Sequence, residues 1–202
     1  MSTTLIVFAK APVAGQAKTR LIPALGADGA AALAERLLAH ALAAAVSAGF
    51  DAVELCTTPD SGHPVFGQLA RRHGVALAAQ GEGDLGARMH RALARALQQH
   101  DRALLIGSDV PGLDTARLRQ ADAALAAHDA VFVPALDGGY ALVGLRRPAP
   151  QLFEGIAWSR ADVMALTRER ARAGGLRWAE LQAVADVDEP ADLAHLPPGW
   201  LR

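Results

Sequence analysis

A three-layer α/β fold, with a mostly parallel sheet between helices, is predicted by three observations. Short β-type runs alternate with helical stretches in the order that builds parallel sheets. The run ALLI at 103–106 is continuously apolar, as a strand covered on both faces must be. Polar and glycine-containing clusters follow the strands, where open α/β sheets gather their ligands.

Thr4–Ala9 reads as the first strand. The Ala-rich stretch at 29–47 reads as an amphipathic helix, because Glu35, Arg36 and His40 interrupt its apolar surface and Gly49 ends it. Ala52–Cys56 is a second strand, Val65–His73 a short helix stopped at Gly74, and Val75–Ala79 a third strand. Asp84 is placed to cap the helix that runs through MHRALARALQQH. Ala103–Ile106 is the fourth strand, and Asp114 is the N-cap expected for TARLRQADAALAAH. Ala130–Pro134 and Tyr140–Leu145 flank the turn LDGG, which allows a hairpin and therefore one antiparallel element. A helix around Ala161–Arg172 and a weaker strand at Leu176–Leu181 follow. The tail DVDEPADLAHL reads as a loop into a short helix, with Pro190 in its first turn.

The 202 residues show no internal repeat or linker, so one domain over 1–202 is expected. Hydrophobic residues make up 51% but aromatics only 4%, so Ala, Leu and Val must build the core. A net charge of −1 supplies no field toward nucleic acid or anionic lipid. Cys56 is the sole cysteine, which excludes an internal disulfide framework and a cysteine zinc cluster. The apolar segment TLIVFA is too short for a signal peptide or a membrane span. These features point to a soluble, cytoplasmic protein.

Five clusters follow strands. The first is AKAPVAGQAKTRL, in which Lys10, Lys18 and Arg20 surround Gly15. Backbone N–H groups and three cations could hold a di- or triphosphate here, although a solvated basic turn has the same composition. Lys18-Thr19 looks like the end of a P-loop, GxxxxGK followed by Ser or Thr, but Ala17 stands at the second glycine and the helix is expected well beyond it. The second cluster is Gln80–Arg88, where Gly81, Gly83 and Gly86 would admit a ligand close to the backbone or simply make a flexible connection. The third is Gly107-Ser108-Asp109, a carboxylate at the lip of a buried strand. It either organises a turn or helps to hold a hard divalent ion beside substrate phosphates. The fourth is Asp137-Gly138-Gly139-Tyr140, a good hairpin turn whose tyrosine could be core or could face a ligand. The fifth is Asp186-Val187-Asp188-Glu189, whose two aspartates share a face if the segment is extended. His63, His73, His90 and His100 are scattered and read as surface or structural residues.

FAKAPVAGQAKTRL, QGEGDLGARM, GSDVPGL, PALDGGYALVGL, WSRADV and DVDEPADL occur in one order along nearly the whole chain. Together they resemble the bacterial GT-A-like transferases often called CofC-like glycosyltransferases. These are similar to phospholactate guanylyltransferases and, more distantly, to molybdenum-cofactor and sugar-nucleotide nucleotidyltransferases. The resemblance implies a nucleotide-diphospho-sugar transferase (GT-A) fold. It also implies a nucleotide in the N-terminal half, near Ala9, Lys10, Gly15, Lys18, Arg20, Gln80, Gly81, Gly86, Arg88 and Ser108. Asp109 and Asp188 would hold Mg²⁺ or Mn²⁺, and Asp109, Lys18 and Arg20 would carry the chemistry. Asp137, Gly138, Gly139, Tyr140, Trp158 and Ser159 would line the acceptor side. Two positions depart from the pattern. Glu189 stands where relatives carry a small hydroxyl residue, and SDVP offers one aspartate where many GT-A glycosyltransferases carry D-x-D.

The implied reaction is metal-dependent transfer from a nucleotide-activated donor, foremost glycosyl transfer from a nucleotide sugar to a small-molecule acceptor. Two alternatives stand beside it. One is nucleotidyl transfer from an NTP to a phosphorylated small molecule with pyrophosphate release; the other is nucleotide binding without turnover. A nicotinamide oxidoreductase is disfavoured, since no GxGxxG follows the first strand.

Overall fold

A computed structural model describes residues 1–200. Seven strands form one sheet: β1 (Thr3–Lys10), β2 (Ala52–Thr58), β3 (Ala76–Ala79), β4 (Arg102–Gly107), β5 (Ala130–Pro134), β6 (Tyr140–Leu145) and β7 (Trp178–Glu180). Their order across the sheet is β3-β2-β1-β4-β6-β5-β7. Every neighbouring pair is parallel except those of β6, which runs antiparallel to both β4 and β5. The LDGG turn therefore makes the one reversal, and the fold class read from the sequence is the observed one.

Five helices cover the sheet: α1 (Ile22–Ser47), α2 (Pro64–His73), α3 (Leu85–Ala96), α4 (Thr115–Ala124) and α5 (Val163–Ala173). Side chains alternate along β1, so Leu5 and Val7 enter one core with Leu42 of α1, Phe66 of α2 and Leu118 of α4. Ile6 and Phe8 enter the opposite core with Met89 of α3 and Met164 of α5. The stretch Thr19–Ser47 is long and apolar enough for a membrane span by length and composition alone, with a mean hydropathy of 1.3. In the fold it lies on the protein, with Leu33, Leu37, Leu38, Leu42 and Ala45 turned inward.

Asp84 and Asp114 do cap α3 and α4, accepting hydrogen bonds from the backbone N–H of Ala87 and Arg117, each at 2.8 Å. The start of α1 differs from expectation. A 3₁₀ turn at Thr19–Leu21 runs directly into Ile22, so helical structure begins right after Lys18 rather than well beyond it. Gly26, at φ 72° and ψ 168°, breaks the helix after its first turn. Regular apolar spacing resumes only past that break, which is why the sequence shows the helix from 29 onward. β7 is shorter than expected, but the chain after it keeps to the sheet edge. The backbone N–H of Leu181 donates to Phe132 O at 2.9 Å and that of Val184 to Pro134 O at 3.0 Å.

Gly144, in the middle of β6, lies under α4. A Cβ there would stand 2.6 Å from Val131 Cγ1 and 3.2 Å from Leu125 Cδ1. Replacing Gly144 with Ala should therefore cost about 1–3 kcal/mol through overpacking. Urea unfolding measures it, and an unchanged midpoint would show that α4 yields without penalty.

Candidate functional site

The chain after β1 makes a tight turn in which the backbone N–H groups of Gln16 and Ala17 both donate to Val13 O at 2.9 Å. Gly15 takes the left-handed conformation (φ 77°), and so does Lys18 (φ 48°), which is unusual for a residue with a Cβ. Ala17 is buried at 5% exposure and does not occupy the left-handed region, so it is no displaced P-loop glycine. The twist at Lys18 sends its side chain inward, leaving it 4% exposed. Lys18 Nζ lies 2.8 Å from Asp109 Oδ2 and 2.9 Å from Asp188 Oδ1, and it donates to Val187 O at 2.7 Å.

Each partner is positioned by a different segment. Asp109 follows β4, and its Oδ1 accepts from Ser108 Oγ at 3.2 Å. Asp188 arrives on the tail, which is pinned by the Val187 N–H donating to Asp109 O at 3.0 Å. Val187 itself is buried with Leu21, Leu33 and Leu37. Burial alone would lower the pKa of Lys18, but Asp109 and Asp188 outweigh it and hold the ammonium above its ordinary 10.5. The two carboxylates stay 45% exposed and face open space.

That space is a cavity of about 580 Å³, lined by Ala9, Lys10, Lys18, Arg20, Gln80, Arg88, Ser108, Asp109 and Asp188, among others. The sequence singled out every one of these. Gln80 is buried, and its amide nitrogen donates to Cys56 O at 3.0 Å and Ala9 O at 3.3 Å. Its Oε1 accepts from Arg88 Nη1 at 2.9 Å, which fixes the guanidinium at the cavity wall. Lys10 Nζ donates to Gln16 O at 3.0 Å. Arg20, 65% exposed, has loose contacts of 3.7 Å to Asp188 and 3.6 Å to Glu189.

A second cavity, of about 270 Å³, meets the first at Gly107 and Asp109 and is lined by Asp137, Gly139, Tyr140, Trp158 and Ser159. Burial, and after it the neighbouring Asp137, raises the Asp186 carboxyl above its usual range on this wall. Burial likewise pushes the Tyr140 phenol up.

Some expected residues stand elsewhere. Gly15, Gly81 and Gly86 do not line the larger cavity, nor Gly138 the smaller one. Gly86 is a packing position: a Cβ would come within 2.7 Å of the Trp158 ring. Gly138 (φ 92°) presses against the backbone of Ala161. Gln16, Thr19 and Thr58 line the large cavity, and Arg160 and Asp186 the small one, without having been singled out as site residues. Among them only Asp186 carried a signal, through its spacing from Asp188.

Asp109 and Asp188 are hard-oxygen donors of the kind Mg²⁺ and Mn²⁺ prefer. Among the described residues no group of three or more potential ligands is arranged to hold an ion. Asp109 and Asp188 would supply two oxygen ligands to such an ion, and the rest of its shell would come from substrate phosphates and water.

Fold and site together define a GT-A-type nucleotide-diphospho-sugar transferase architecture, with its clefts at the carboxyl ends of the parallel strands. The chain belongs to the family described as an uncharacterized protein conserved in bacteria (DUF2064), whose model matches residues 41–160. A protein from Desulfovibrio desulfuricans G20, provisionally assigned as a nucleotide-diphospho-sugar transferase, is 34% identical with a TM-score of 0.85, over 94% of this chain and 84% of its own. The 4-diphosphocytidyl-2C-methyl-D-erythritol synthase of Anaerococcus prevotii has a TM-score of 0.66 at 10% identity, covering 96% and 93% of the two chains. The glucosyl-3-phosphoglycerate synthase of Mycobacterium tuberculosis, solved with Mn²⁺, UDP and its product, has a TM-score of 0.59 at 10% identity, covering 96% and 75%. No curated protein matches the chain.

Because the folded-state pKa of Lys18 is raised, its ion pairs contribute stability that is complete below about pH 10.5 and lost as pH rises through the folded value. Replacing Lys18 with Met should thus lower unfolding free energy by a constant amount at neutral pH, with the gap to the parent closing in alkali. A gap that widened above pH 10.5 would show that Lys18 is not paired in the folded state.

Proposed function

We propose that the chain is a metal-dependent transferase acting on a nucleotide-activated donor, foremost a nucleotide sugar, with a small-molecule acceptor in the second cavity. The observation that carries this reading is the Lys18–Asp109–Asp188 cluster on the larger cavity, whose Asp109 also lines the smaller one. The similarity to a provisionally assigned nucleotide-diphospho-sugar transferase supports the donor class. A protein of the same fold solved with Mn²⁺ and UDP supports a nucleotide and a divalent ion as the class of ligands.

In glycosyl transfer an acceptor hydroxyl oxygen bonds the anomeric carbon and gives its proton to water or the departing diphosphate, while the bond from that carbon to the β-phosphate oxygen breaks and negative charge grows on the leaving oxygen. A divalent ion held by Asp109 and Asp188 would supply electrostatic stabilisation there. Lys18 remains protonated at neutral pH, so its ammonium offers a fixed positive charge beside the same oxygens. Arg20 can leave its long contacts to Asp188 and Glu189 for a phosphate, since neither is a close pair. Arg88, held by Gln80, adds a preset guanidinium deeper along the wall. No serine, cysteine or histidine nucleophile is required.

Incubation with Mn²⁺ and either nucleotide sugars or nucleoside triphosphates separates the reactions: nucleoside diphosphate release marks glycosyl transfer, and pyrophosphate release marks nucleotidyl transfer. Asp109→Asn should lower turnover by about 100-fold or more, and unchanged metal-dependent turnover would remove Asp109 from the site. Arg20→Ala should weaken nucleotide binding by about tenfold, the worth of one charge-assisted hydrogen bond. Calorimetry reads this, and an unaltered dissociation constant would take the basic loop out of the site.

A further inference from the structure

We infer that the acceptor is an uncharged or cationic hydroxyl compound, not a phosphate monoester or a carboxylate, and that Asp137 and Asp186 enforce this choice. The inference rests on the transferase reading above and concerns the smaller cavity. Its charged lining comprises Asp109, Asp137, Asp186 and Arg160. Two of these four have partners of opposite sign, one of them in an exposed pair and one sharing its cation with Asp188. Asp109 is paired with Lys18 at 2.8 Å, and Arg160 is paired with Asp162, at 3.2 Å through Nε and 3.3 Å through Nη2. Asp137 and Asp186 face the cavity with no cation bound to either among the described residues.

The surroundings reinforce that sign. An adjoining hollow of about 300 Å³ shares Asp137 and Asp186 and adds Asp188, Glu189 and Asp192, opposed only by Arg20 and His195. An anionic acceptor would meet like charge at its seat and beside it, and such juxtaposition is how sites reject a wrong partner. The larger cavity carries the opposite balance, with Lys10, Lys18, Arg20 and Arg88 on its walls against Asp109 and Asp188. Phosphates thus have one favourable side of Asp109 and one unfavourable side. The rest of the small cavity suits a neutral molecule. Tyr140 and Trp158 supply aromatic surface, edge to face at 6.4 Å, and the buried Tyr140 hydroxyl has no hydrogen-bond partner among the described residues.

Trp158 is a built-in reporter of this cavity, and the other two tryptophans are Trp178 and Trp200. In a Trp178→Phe, Trp200→Phe background, caesium should quench Trp158 fluorescence about threefold or more better than iodide, each scaled to its efficiency on free tryptophan. Adding Asp137→Asn and Asp186→Asn should bring the ratio close to one. Equal or stronger quenching by iodide, or a ratio indifferent to the Asn changes, would overturn the inference. If the background variant does not fold, the otherwise unaltered protein labelled with 5-fluorotryptophan serves instead. The resonance missing from Trp158→Phe should then shift with glycerol but not with glycerol 1-phosphate, and the reverse would refute the proposal. Among acceptors that turn over, a phosphorylated compound preferred to its unphosphorylated counterpart would refute it too. Failure of any nucleotide with Mn²⁺ to raise the melting temperature would instead refute the transferase reading, and leaves the quenching result standing as a separate fact.

Discussion

One ammonium group holds three distant pieces of chain at one point. Lys18 is almost fully buried between Asp109 and Asp188, and a buried charge is tolerated only where partners surround it. The rest of the site follows from meeting that condition. The left-handed backbone at Lys18 turns the side chain inward. The end of β4 brings Asp109, and the tail must cross from the β5 edge to deliver Asp188. Val187, buried against Leu21 and Leu37, keeps the tail there, so the packing of α1 and the geometry of the carboxylates are one structural fact.

The same arrangement sorts charge along the sheet edge. β1 ends in a loop that carries Lys10, Lys18 and Arg20, and β3 in one that leads into Arg88, whereas the β5–β6 turn and the tail carry Asp137, Asp186 and Glu189. With a net charge of only −1, the chain has no overall field, and its electrostatics lie in this local division. The antiparallel β6 matters here. Its hairpin turn places Asp137 and Tyr140 at the edge where the parallel strands end, opposite the phosphate-facing loops.

What could be read in the sequence was whatever depends on near neighbours. The strands, the LDGG reversal and the caps at Asp84 and Asp114 follow from local pattern and turn chemistry, and each is present. The cationic and carboxylate positions were visible because they fall directly after strands. Long-range packing was not legible. Gly86 looked like room for a ligand, yet it makes room for Trp158, and Gly138 makes room for Ala161. The start of α1 was hidden because Gly26 resets the helical phase, so that the first turn and the body do not share one apolar stripe. Asp186 resembled its neighbour Asp188, and only the path of the tail separates the one on the small cavity from the one on Lys18.

The two departures from the pattern of relatives have structural answers. Glu189 could unsettle the tail if the missing hydroxyl were needed to hold the backbone. In this chain Asp192 holds the backbone there, accepting from the N–H groups of Asp188 at 3.0 Å and Glu189 at 2.7 Å. Glu189 itself points to Arg20 at 3.6 Å. The single aspartate of SDVP is likewise no deficit in carboxylates, because the second one comes from Asp188 across a backbone hydrogen bond between the loops. A D-x-D motif places both carboxylates on one loop, whereas here they come from two, with Lys18 between them. Their spacing therefore depends on the ammonium as much as on the backbone. On the proposed reading, a diphosphate that shares the Lys18 ammonium would loosen its hold on both carboxylates at once, and these are the groups that would take the ion.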